Sequence, residues 1–314
     1  MMAAADTLTT GYRALTEGCG LVDRSERGKL ALTGAEAKAF LQGQVTNDVE
    51  GLEPGHGCYA AFLTHKGKML GDLRVLDIGG ELLLDTERSA LQELFNMIRR
   101  FKLGRDVELH KRTLELGLLS LIGPDARRVA GADALGADEH DNMRDGDLVL
   151  VATDAGVDVF CPAGETAAVR ARLEAAGAVP VAEEAAEALR VERGRPRYGV
   201  DLDDTVIPQE AGLNERAVSF TKGCYVGQET VARLHYRGKP NRHLRGLRLS
   251  GAAAPGDELR LGEKAVGRVR TVAHSPVHGP IALAIVRREA APGDSLAVGE
   301  DGATAEVVEL PFRR

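Results

Sequence analysis

The sequence predicts an α+β protein of two or three domains that ends in a small β-barrel. Three patterns support this fold class: a glycine-rich antiparallel meander near the N-terminus, a strand–helix–strand–strand–helix succession in the middle, and short strands between glycine and proline turns at the end. The 314 residues are 44% hydrophobic, which is enough for sizeable cores. No internal repeat or low-complexity tract interrupts this order.

Helical and extended segments alternate in the N-terminal part. Strands joined by short turns form the meander, and an amphipathic helix with one apolar face follows it. The segments predicted as strands are 28–34, 57–64, 73–78 and 82–85. A helix and turn are predicted over 7–22, and further helices are predicted at 35–42 and 89–101.

The middle of the chain indicates an α+β sandwich subdomain, and the end indicates a closed or nearly closed barrel. β-type alternation runs through 107–122, and two further strands are predicted at 147–153 and 157–161. The predicted helices of this region are 126–130, 165–176 and 183–192. The predicted barrel strands are 247–249, 258–261, 265–272, 281–286, 295–298 and 303–308.

Composition excludes several classes of function. The 40 basic and 47 acidic residues give a net charge of −7, so the chain as a whole is a poor nucleic-acid binder. There is no tryptophan and only 4% aromatic residues, which argues against a base-stacking platform. Because the sequence shows neither a secretory signal nor an apolar run of membrane-spanning length, we expect a cytoplasmic protein that does not bind a membrane.

The four cysteines are widely separated. No C-x-x-C pair occurs, which argues against a zinc site, a locally bound iron–sulfur cluster or a disulfide framework. We therefore expect no metal site. The cysteines are Cys19, Cys58, Cys161 and Cys224.

One cysteine stands in a segment rich in polar residues and glycine. The sequence KGCYVGQE, residues 222–229, predicts a tight loop that fixes Cys224 in place. Lys222 and Arg233 supply positive charge, which favours a thiolate over a thiol. The alternative is a buried cysteine in a turn framed by glycines. The polar neighbours favour a functional thiol at Cys224, with Lys222 as its partner.

Two other loops carry candidate ligand-binding groups. The polar loop after the helix 35–42 either caps that helix through Gly43 or presents polar groups to a ligand. The loop 200–213 is either an acidic surface loop or a recognition loop, in which Gln209 or Glu210 accepts N–H bonds from an amino-pyrimidine ring. His110 and His140 stand alone in loop-like contexts and are interpreted as surface residues. The candidate groups of the first loop are Gln44, Thr46, Asn47 and Asp48.

A local excess of basic residues follows the cysteine segment. In an acidic chain this run is either the solvated face of a strand or a binding surface for an anionic ligand. The two residues nearest the segment, Arg233 and Arg237, are assigned to the ligand. The run comprises Arg233, His235, Arg237, Lys239, Arg242, His243, Arg245 and Arg248.

The segment 222–229 resembles the K-G-C-[YF]-x-G-Q-E signature of the YgfZ family. That family comprises folate-binding relatives of the glycine-cleavage T-protein that act in iron–sulfur protein maturation. Residues 40–49 are similar to the F-L-x-G-x-x-T-N-D-V element of the same group, and residues 208–213 resemble the P-x-E-A-G-L segment that contacts the pterin in T-proteins. The resemblance covers nearly the whole chain and implies three domains arranged like a clover around a central folate pocket.

The resemblance also implies the domain boundaries and the ligand. Residues 1–115 and 186–244 would form the folate-binding domain, with an α+β sandwich subdomain at 116–185 between them and the barrel at 245–314. The expected cofactor is tetrahydrofolate or a one-carbon derivative, with Glu210 as the principal pterin contact and the basic run on the glutamate tail. The residues expected to bind it are Glu210, Gln209, Asn47, Asp72, Gln228, Glu229, Arg233 and Arg237.

The sequence departs from T-proteins at the glycine turn that precedes Asp72. T-proteins carry two adjacent aspartates there, the first of which assists aminomethyl transfer, and that first position aligns with Gly71. Because glycine has no side chain to act as a base, the expected function is a tetrahydrofolate-binding accessory protein for iron–sulfur cluster assembly or repair, whose partners are folate and assembly or client proteins. The alternatives are a folate-dependent aminomethyltransferase or demethylase that uses Asp72, and a non-catalytic folate-binding protein whose cysteine only packs.

Overall fold

A computed structural model describes residues 2–300 and 302–313 of the chain. Its longer helices are α1 (Met2–Glu17), α3 (Leu91–Phe101), α5 (Thr166–Ala175), α6 (Glu183–Glu192) and α8 (Gln228–Arg237). The shorter helices are α2 (Ala37–Gln42), α4 (Ala126–Ala130) and α7 (Asn214–Ala217), with a single 3₁₀ turn at Ala163–Glu165. Within the described ranges, none of the helices combines the length and the apolar character needed to cross a lipid bilayer.

The first module is an antiparallel sheet covered by two helices. Its strand order is β3-β4-β5-β2-β6, and α2 and α3 pack on one face through a core that includes Phe40, Phe62 and Leu94. The predicted meander is confirmed as β3, β4 and β5. The strands are β2 (Gly28–Thr33), β3 (Gly57–Leu63), β4 (Met69–Asp77), β5 (Leu82–Thr86) and β6 (Glu108–Lys111).

The second module is a six-stranded sheet of order β11-β1-β7-β10-β9-β8. Its strand β1 comes from the N-terminal segment, so the first 115 residues contribute to both sheets. The extended stretch predicted at 107–122 is two strands in different sheets, because the turn after β6 redirects the chain into β7. The strands are β1 (Gly20–Asp23), β7 (Leu116–Ile122), β8 (Asn142–Asp145), β9 (Leu148–Thr153), β10 (Gly156–Pro162) and β11 (Val179–Pro180).

The third module is a closed barrel of order β12-β15-β14-β13-β16-β17, which confirms the predicted C-terminal barrel. The pairing of β17 with β12 closes it, with Leu247 opposite Val307. Both side chains are fully buried in the barrel core, together with Leu259 and Leu296. The strands are β12 (Arg242–Leu249), β13 (Glu258–Leu261), β14 (Lys264–Ser275), β15 (Gly279–Arg287), β16 (Ser295–Val298) and β17 (Ala303–Val308).

Buried polar contacts join the three modules. Arg190 on α6 donates to Asp201 at 2.7 Å and to Thr271 of β14 at 3.2 Å, and Thr271 donates to Asp201 at 2.6 Å. Arg74 of β4 donates to Asp158 of β10 at 2.6 Å, which connects the first two sheets. Since all of these groups are mostly or fully buried, the contacts satisfy polar atoms that would otherwise be costly to bury.

Candidate functional site

A polar cavity of about 520 Å³ lies where the first two sheets and α6 meet. One side of α6 faces it, because the residues at helical spacing on that side are charged while the opposite side is buried against α1. The α6 side chains that line the cavity include Glu183, Glu187 and Arg190. The lining residues from the two sheets include Tyr59, Asp72, Arg74, Ser120 and Asp158.

Asp72 provides a buried carboxyl group in this cavity. It is 5% exposed, and the hydroxyl of Tyr59 donates to its Oδ2 at 2.7 Å. Burial raises the pKa of Asp72 to about 6, against the opposing effects of the Tyr59 hydrogen bond and of Arg27. Asp72 therefore changes its protonation state close to neutral pH, as a proton-transfer group would.

The adjacent Gly71 does not face the cavity. A Cβ atom built there would lie 2.6 Å from the ring of Phe62 and 2.7 Å from Ala90, which belong to the helix-covered core. Successive residues of a strand point to opposite faces, so the cavity receives Asp72 and not position 71. The glycine at 71 therefore removes no carboxylate from this cavity, which corrects the inference that we drew from its alignment with the catalytic aspartate.

A network of arginines and carboxylates lies beside Asp72. Arg27 and Arg74 both donate to the fully buried Asp85, at 2.9 Å and 2.7 Å. Burial alone would raise the pKa of Asp85, yet the two guanidinium groups together lower it to about 2. Asp85 is therefore ionised at neutral pH, whereas Asp72 titrates closer to neutrality.

His140 also lines the cavity, which corrects its interpretation as a surface residue. It is 6% exposed, and its backbone has a φ of 78°, the left-handed region that residues other than glycine rarely adopt. Burial, with the charges of Arg74 and Arg216, lowers the pKa of His140 to about 3, so the imidazole is neutral at physiological pH. Its Nδ1 atom is buried and has no hydrogen-bond partner.

Three arginines follow α6 and line the same cavity. Arg193 and Arg195 contact Asp154, through its carbonyl oxygen at 3.0 Å and its carboxylate at 2.8 Å respectively. Arg197 donates to Glu187 at 2.8 Å, and its Nε atom is buried without a hydrogen-bond partner, 3.9 Å from a carboxylate oxygen of Glu87. About a third of the Arg195 and Arg197 side chains remains exposed, whereas Asp72 is buried. The cavity therefore has a buried part around Asp72 and a more open part that carries Arg195 and Arg197.

Lys222 has a different role from the one predicted for it. Its ammonium group donates to the backbone carbonyls of Gln42, Val45 and Asn47 at 2.7, 2.8 and 2.6 Å. Burial lowers the pKa of Lys222 to about 8. The lysine thus closes the loop that follows α2, and its donors are directed to backbone oxygens and not to Cys224.

Cys224 is a free, exposed cysteine and does not line the cavity, so the alternative of a buried cysteine is wrong. Gly227 fixes the local packing of its loop. Gly227 has a φ of 84°, and a Cβ there would lie 2.5 Å from the carbonyl oxygen of Thr64 in the turn that contains Gly67. The cysteine loop is therefore held against the glycine turn at 64–68.

Glu210 is buried and lies outside the cavity lining. Its carboxylate accepts N–H bonds from Arg242 at 2.9 and 2.7 Å and from the backbone of Ile207 at 3.1 Å. The neighbouring Gln209 donates to the carbonyl of Val231 at 2.7 Å, and its Oε1 atom is buried without a partner. These contacts tie the loop 206–213 to β12 and α8, so the position of Glu210 gives no support to its expected pterin contact.

The other predicted binding residues divide into two groups. Asn47 donates to the backbone carbonyls of Tyr59 and Arg216, at 2.8 and 3.2 Å. It therefore fixes the backbone of two cavity-lining residues without lining the cavity itself. The remaining four lie on α8, a helix that sequence patterning missed, and none of them lines the cavity. These four are Gln228, Glu229, Arg233 and Arg237.

The structure brings Asp72 to the cavity together with residues that sequence reasoning did not select. The charged spacing of Glu183, Glu187 and Arg190 on an otherwise apolar helix was the signal that could have identified the predicted helix 183–192 as part of a site. Tyr59 and His140 carry no such signal, because they reach the cavity only when strands distant in sequence pair in the folded protein. Among the described residues, no three His, Cys, Asp or Glu side chains are arranged to hold a metal ion.

The fold and the cavity together define a class: α+β proteins of three modules, with a C-terminal barrel and a polar small-molecule cavity where the first two modules meet. Two family models match the chain. The GCVT N-terminal domain matches residues 2–142, and the glycine cleavage T-protein C-terminal barrel domain matches residues 242–313.

Whole-chain comparisons agree with these matches. An aminomethyltransferase of Rubrobacter xylanophilus is 31% identical over 318 residues, covering 96% of this chain and 85% of the relative. An aminomethyltransferase of Geobacillus kaustophilus is 31% identical over 327 residues, with 96% and 89% covered. The crystal structure of glycine cleavage system aminomethyltransferase T from Bartonella henselae superposes with a TM-score of 0.87, covering 98% and 89% at 22% identity, which shows the shared fold. The chain belongs to the glycine cleavage T-protein family.

Proposed function

We propose that this protein binds tetrahydrofolate in the polar cavity and acts in iron–sulfur cluster assembly or repair, as a member of the YgfZ branch of the T-protein family. The observation that carries the proposal is the cavity itself. Its volume of about 520 Å³ lies within the range of roughly 300–1,000 Å³ that is usual for small-molecule sites.

The polar groups of the cavity match a folate in two ways. A pteridine has ring nitrogens and an amino group on one edge, which suit the polar groups of Asp72, Tyr59 and His140 in the cavity lining. The carboxylates of a glutamate tail suit the partly exposed guanidinium groups of Arg195 and Arg197. In this arrangement the tail is assigned to the arginines after α6 and not to Arg233 and Arg237 on α8.

The branch assignment rests on the KGCYVGQE segment at 222–229. Cys224 is exposed in a loop that Lys222 and Gly227 hold in one conformation, so its sulfur is accessible to a partner protein or to a cluster in transit. A cysteine that served only packing would be buried. Cys224 would thus act on clients outside the cavity, while folate occupies the inside.

Two measurements test the proposal. Calorimetric titration with tetrahydrofolate should show one site per chain, and Asp72→Asn should weaken it through the loss of a charged hydrogen-bond partner, worth about 1.5–3 kcal/mol. Cys224→Ser should retain folate binding and thermal stability, yet fail to support the activity of a cluster-dependent enzyme in cells that lack the wild-type protein. Full activity of Cys224→Ser in that assay would remove the role given to the thiol.

A second candidate, one-carbon transfer, is favoured by the position of Asp72. Tetrahydrofolate supplies nitrogen atoms that carry a one-carbon unit. Asp72 is the cavity carboxyl group whose pKa of about 6 allows it to hold or release a proton during such a transfer. Turnover of a methylamine donor with tetrahydrofolate, lost in Asp72→Asn and kept in Cys224→Ser, would establish this activity. If the protein binds tetrahydrofolate but shows no turnover, one-carbon transfer is excluded and the accessory role in cluster assembly or repair remains.

A further inference from the structure

His140 occupies a strained position that its surroundings hold firmly. The residues on either side of it are both paired: Glu139 with the guanidinium of Arg216, and Asp141 with His56 at 2.8 Å. Its own backbone N–H donates to Ala152 at 2.8 Å. The loop is thus anchored on both sides of a residue with a φ of 78°. A conformation of this kind costs of order 1–3 kcal/mol and persists only where the surrounding structure enforces it.

The strain does not serve a hydrogen bond of the imidazole within the protein. The Nδ1 atom is buried without a partner, and the nearest carboxylate oxygen to Nε2, on Glu139, is 3.8 Å away. Buried polar atoms normally find a partner. Since Nδ1 is sealed from solvent, the ring nitrogen that a ligand in the cavity can reach is Nε2. Because the imidazole is neutral, it can donate through one ring nitrogen and accept through the other.

The groups next to His140 are themselves planar. The ring of Tyr59 lies 6.5 Å from the imidazole, centroid to centroid, and the guanidinium of Arg216 lies 5.2 Å from the centre of the Tyr59 ring. All three side chains line the cavity. Planar groups of this kind suit a planar heteroaromatic ligand. Asp72, which accepts the hydrogen bond of the Tyr59 hydroxyl, lies beside them and can contact the polar edge of such a ligand.

We propose that His140 is a ligand-binding residue of this cavity, whose imidazole hydrogen-bonds the polar edge of a planar heteroaromatic ring. The paired residues on either side hold His140 at this place in the cavity lining. This assignment rests on the proposed folate function, since a pteridine is the heteroaromatic ring considered. It adds to that function a contact that comes from the second module.

The test uses the unusual backbone of the residue. Glycine adopts a φ near 78° without strain, so His140→Gly removes the imidazole and relieves the backbone at once. Tetrahydrofolate should bind His140→Gly about tenfold more weakly, the loss expected for one hydrogen bond, while the midpoint of urea unfolding should not fall. Asparagine tolerates the same backbone conformation and keeps one short polar group. The affinity of His140→Asn for tetrahydrofolate should therefore lie between those of the wild type and His140→Gly. His110→Ala, at a histidine outside the cavity lining, is the control and should bind like the wild type.

The outcomes separate the two proposals. Equal affinity of wild type, His140→Gly and His140→Asn would overturn the role of His140 and leave the folate site standing. No binding by the wild-type protein would overturn the folate proposal and this assignment with it. If His140→Gly unfolds, the ring nitrogen signals of His140 in the ¹⁵N-labelled wild-type protein decide: they should shift on addition of tetrahydrofolate, and unchanged signals in a saturated sample would refute the contact.

Discussion

Gly71 and Asp72 are neighbours on β4 that face opposite sides of the first sheet. Asp72 points into the cavity, where the hydroxyl of Tyr59 donates to it at 2.7 Å, while a side chain at 71 would enter the core beneath Phe62. The carboxylate available for chemistry is therefore set by strand alternation, and a linear count of aspartates after the glycine turn does not reveal it.

Placing an aspartate at position 71 should damage the protein without adding a functional group. The new Cβ would lie 2.6 Å from the ring of Phe62, and the carboxylate would be buried without a partner. We expect Gly71→Asp to lower the free energy of unfolding by about 3 kcal/mol or more, measured by urea denaturation. Gly164→Ala, at a glycine whose Cβ would meet no atom within 4 Å, is the control. A Gly71→Asp protein that is stable and gains aminomethyl transfer would contradict the assignment of Asp72.

Asp72 should make stability depend on pH in a defined direction. Its pKa is raised from 3.8 to about 6 in the folded protein, mainly by burial, so between these values the native state keeps a proton that the unfolded state has released. The free energy of unfolding of the wild type, relative to Asp72→Asn, should therefore fall by about 2–3 kcal/mol as the pH rises from 4 to 7. Urea titrations of both proteins at several pH values test this. A constant difference would show that the carboxyl group is not perturbed in this way.

Lys222 should contribute to stability and not to thiol reactivity. Replacing it by methionine removes the donor shared by the carbonyls of Gln42, Val45 and Asn47. The expected loss is about 1.5–3 kcal/mol in thermal or urea unfolding. The rate at which Cys224 reacts with a disulfide reagent should hardly change, with Lys239→Met as the control at an exposed lysine. A slower thiol reaction with unchanged stability would restore the activating role predicted for this lysine.

Glu210 should behave as a structural residue of the loop 206–213. Arg242, Ile207 and the carboxylate form a hydrogen-bonded unit at 2.7–3.1 Å, and removing the charge of Glu210 leaves Arg242 without its ion-pair partner. We expect Glu210→Gln to lower the free energy of unfolding by about 1–3 kcal/mol. The affinity of the folded variant for tetrahydrofolate should equal that of the wild type. Calorimetry and urea unfolding on the same samples distinguish the two effects. Weaker folate binding at full stability would instead support the pterin contact predicted from the sequence.

Local patterning predicted the elements that depend on neighbours in sequence. The barrel strands and the meander follow from alternation and glycine turns, and α6 at Glu183–Glu192 has the predicted bounds. The helix α8 escaped prediction because its N-terminal part lies in a glycine-framed motif and its remainder resembles a solvated basic strand. The segment 107–122 was interpreted as one unit because its β-type alternation does not show where the chain leaves one sheet for another.

The site was less predictable than the fold, for a physical reason. Asp72 was selected from a motif, but Tyr59, His140 and the α6 residues meet it only because two sheets are brought together by Arg74 and Asp158. No spacing in the sequence encodes that contact. Conversely, Lys222 and Glu210 stood out as charged residues in motifs, yet their charges are directed to backbone atoms and to Arg242, as loop conformations require.

Arg190 belongs to the cavity wall and to the barrel interface at once, through Asp201 and Thr271. A displacement of β14 must either break these contacts or carry the guanidinium with it and alter the space around the ligand. The shape of the cavity is therefore coupled to the position of a barrel strand that does not itself line it.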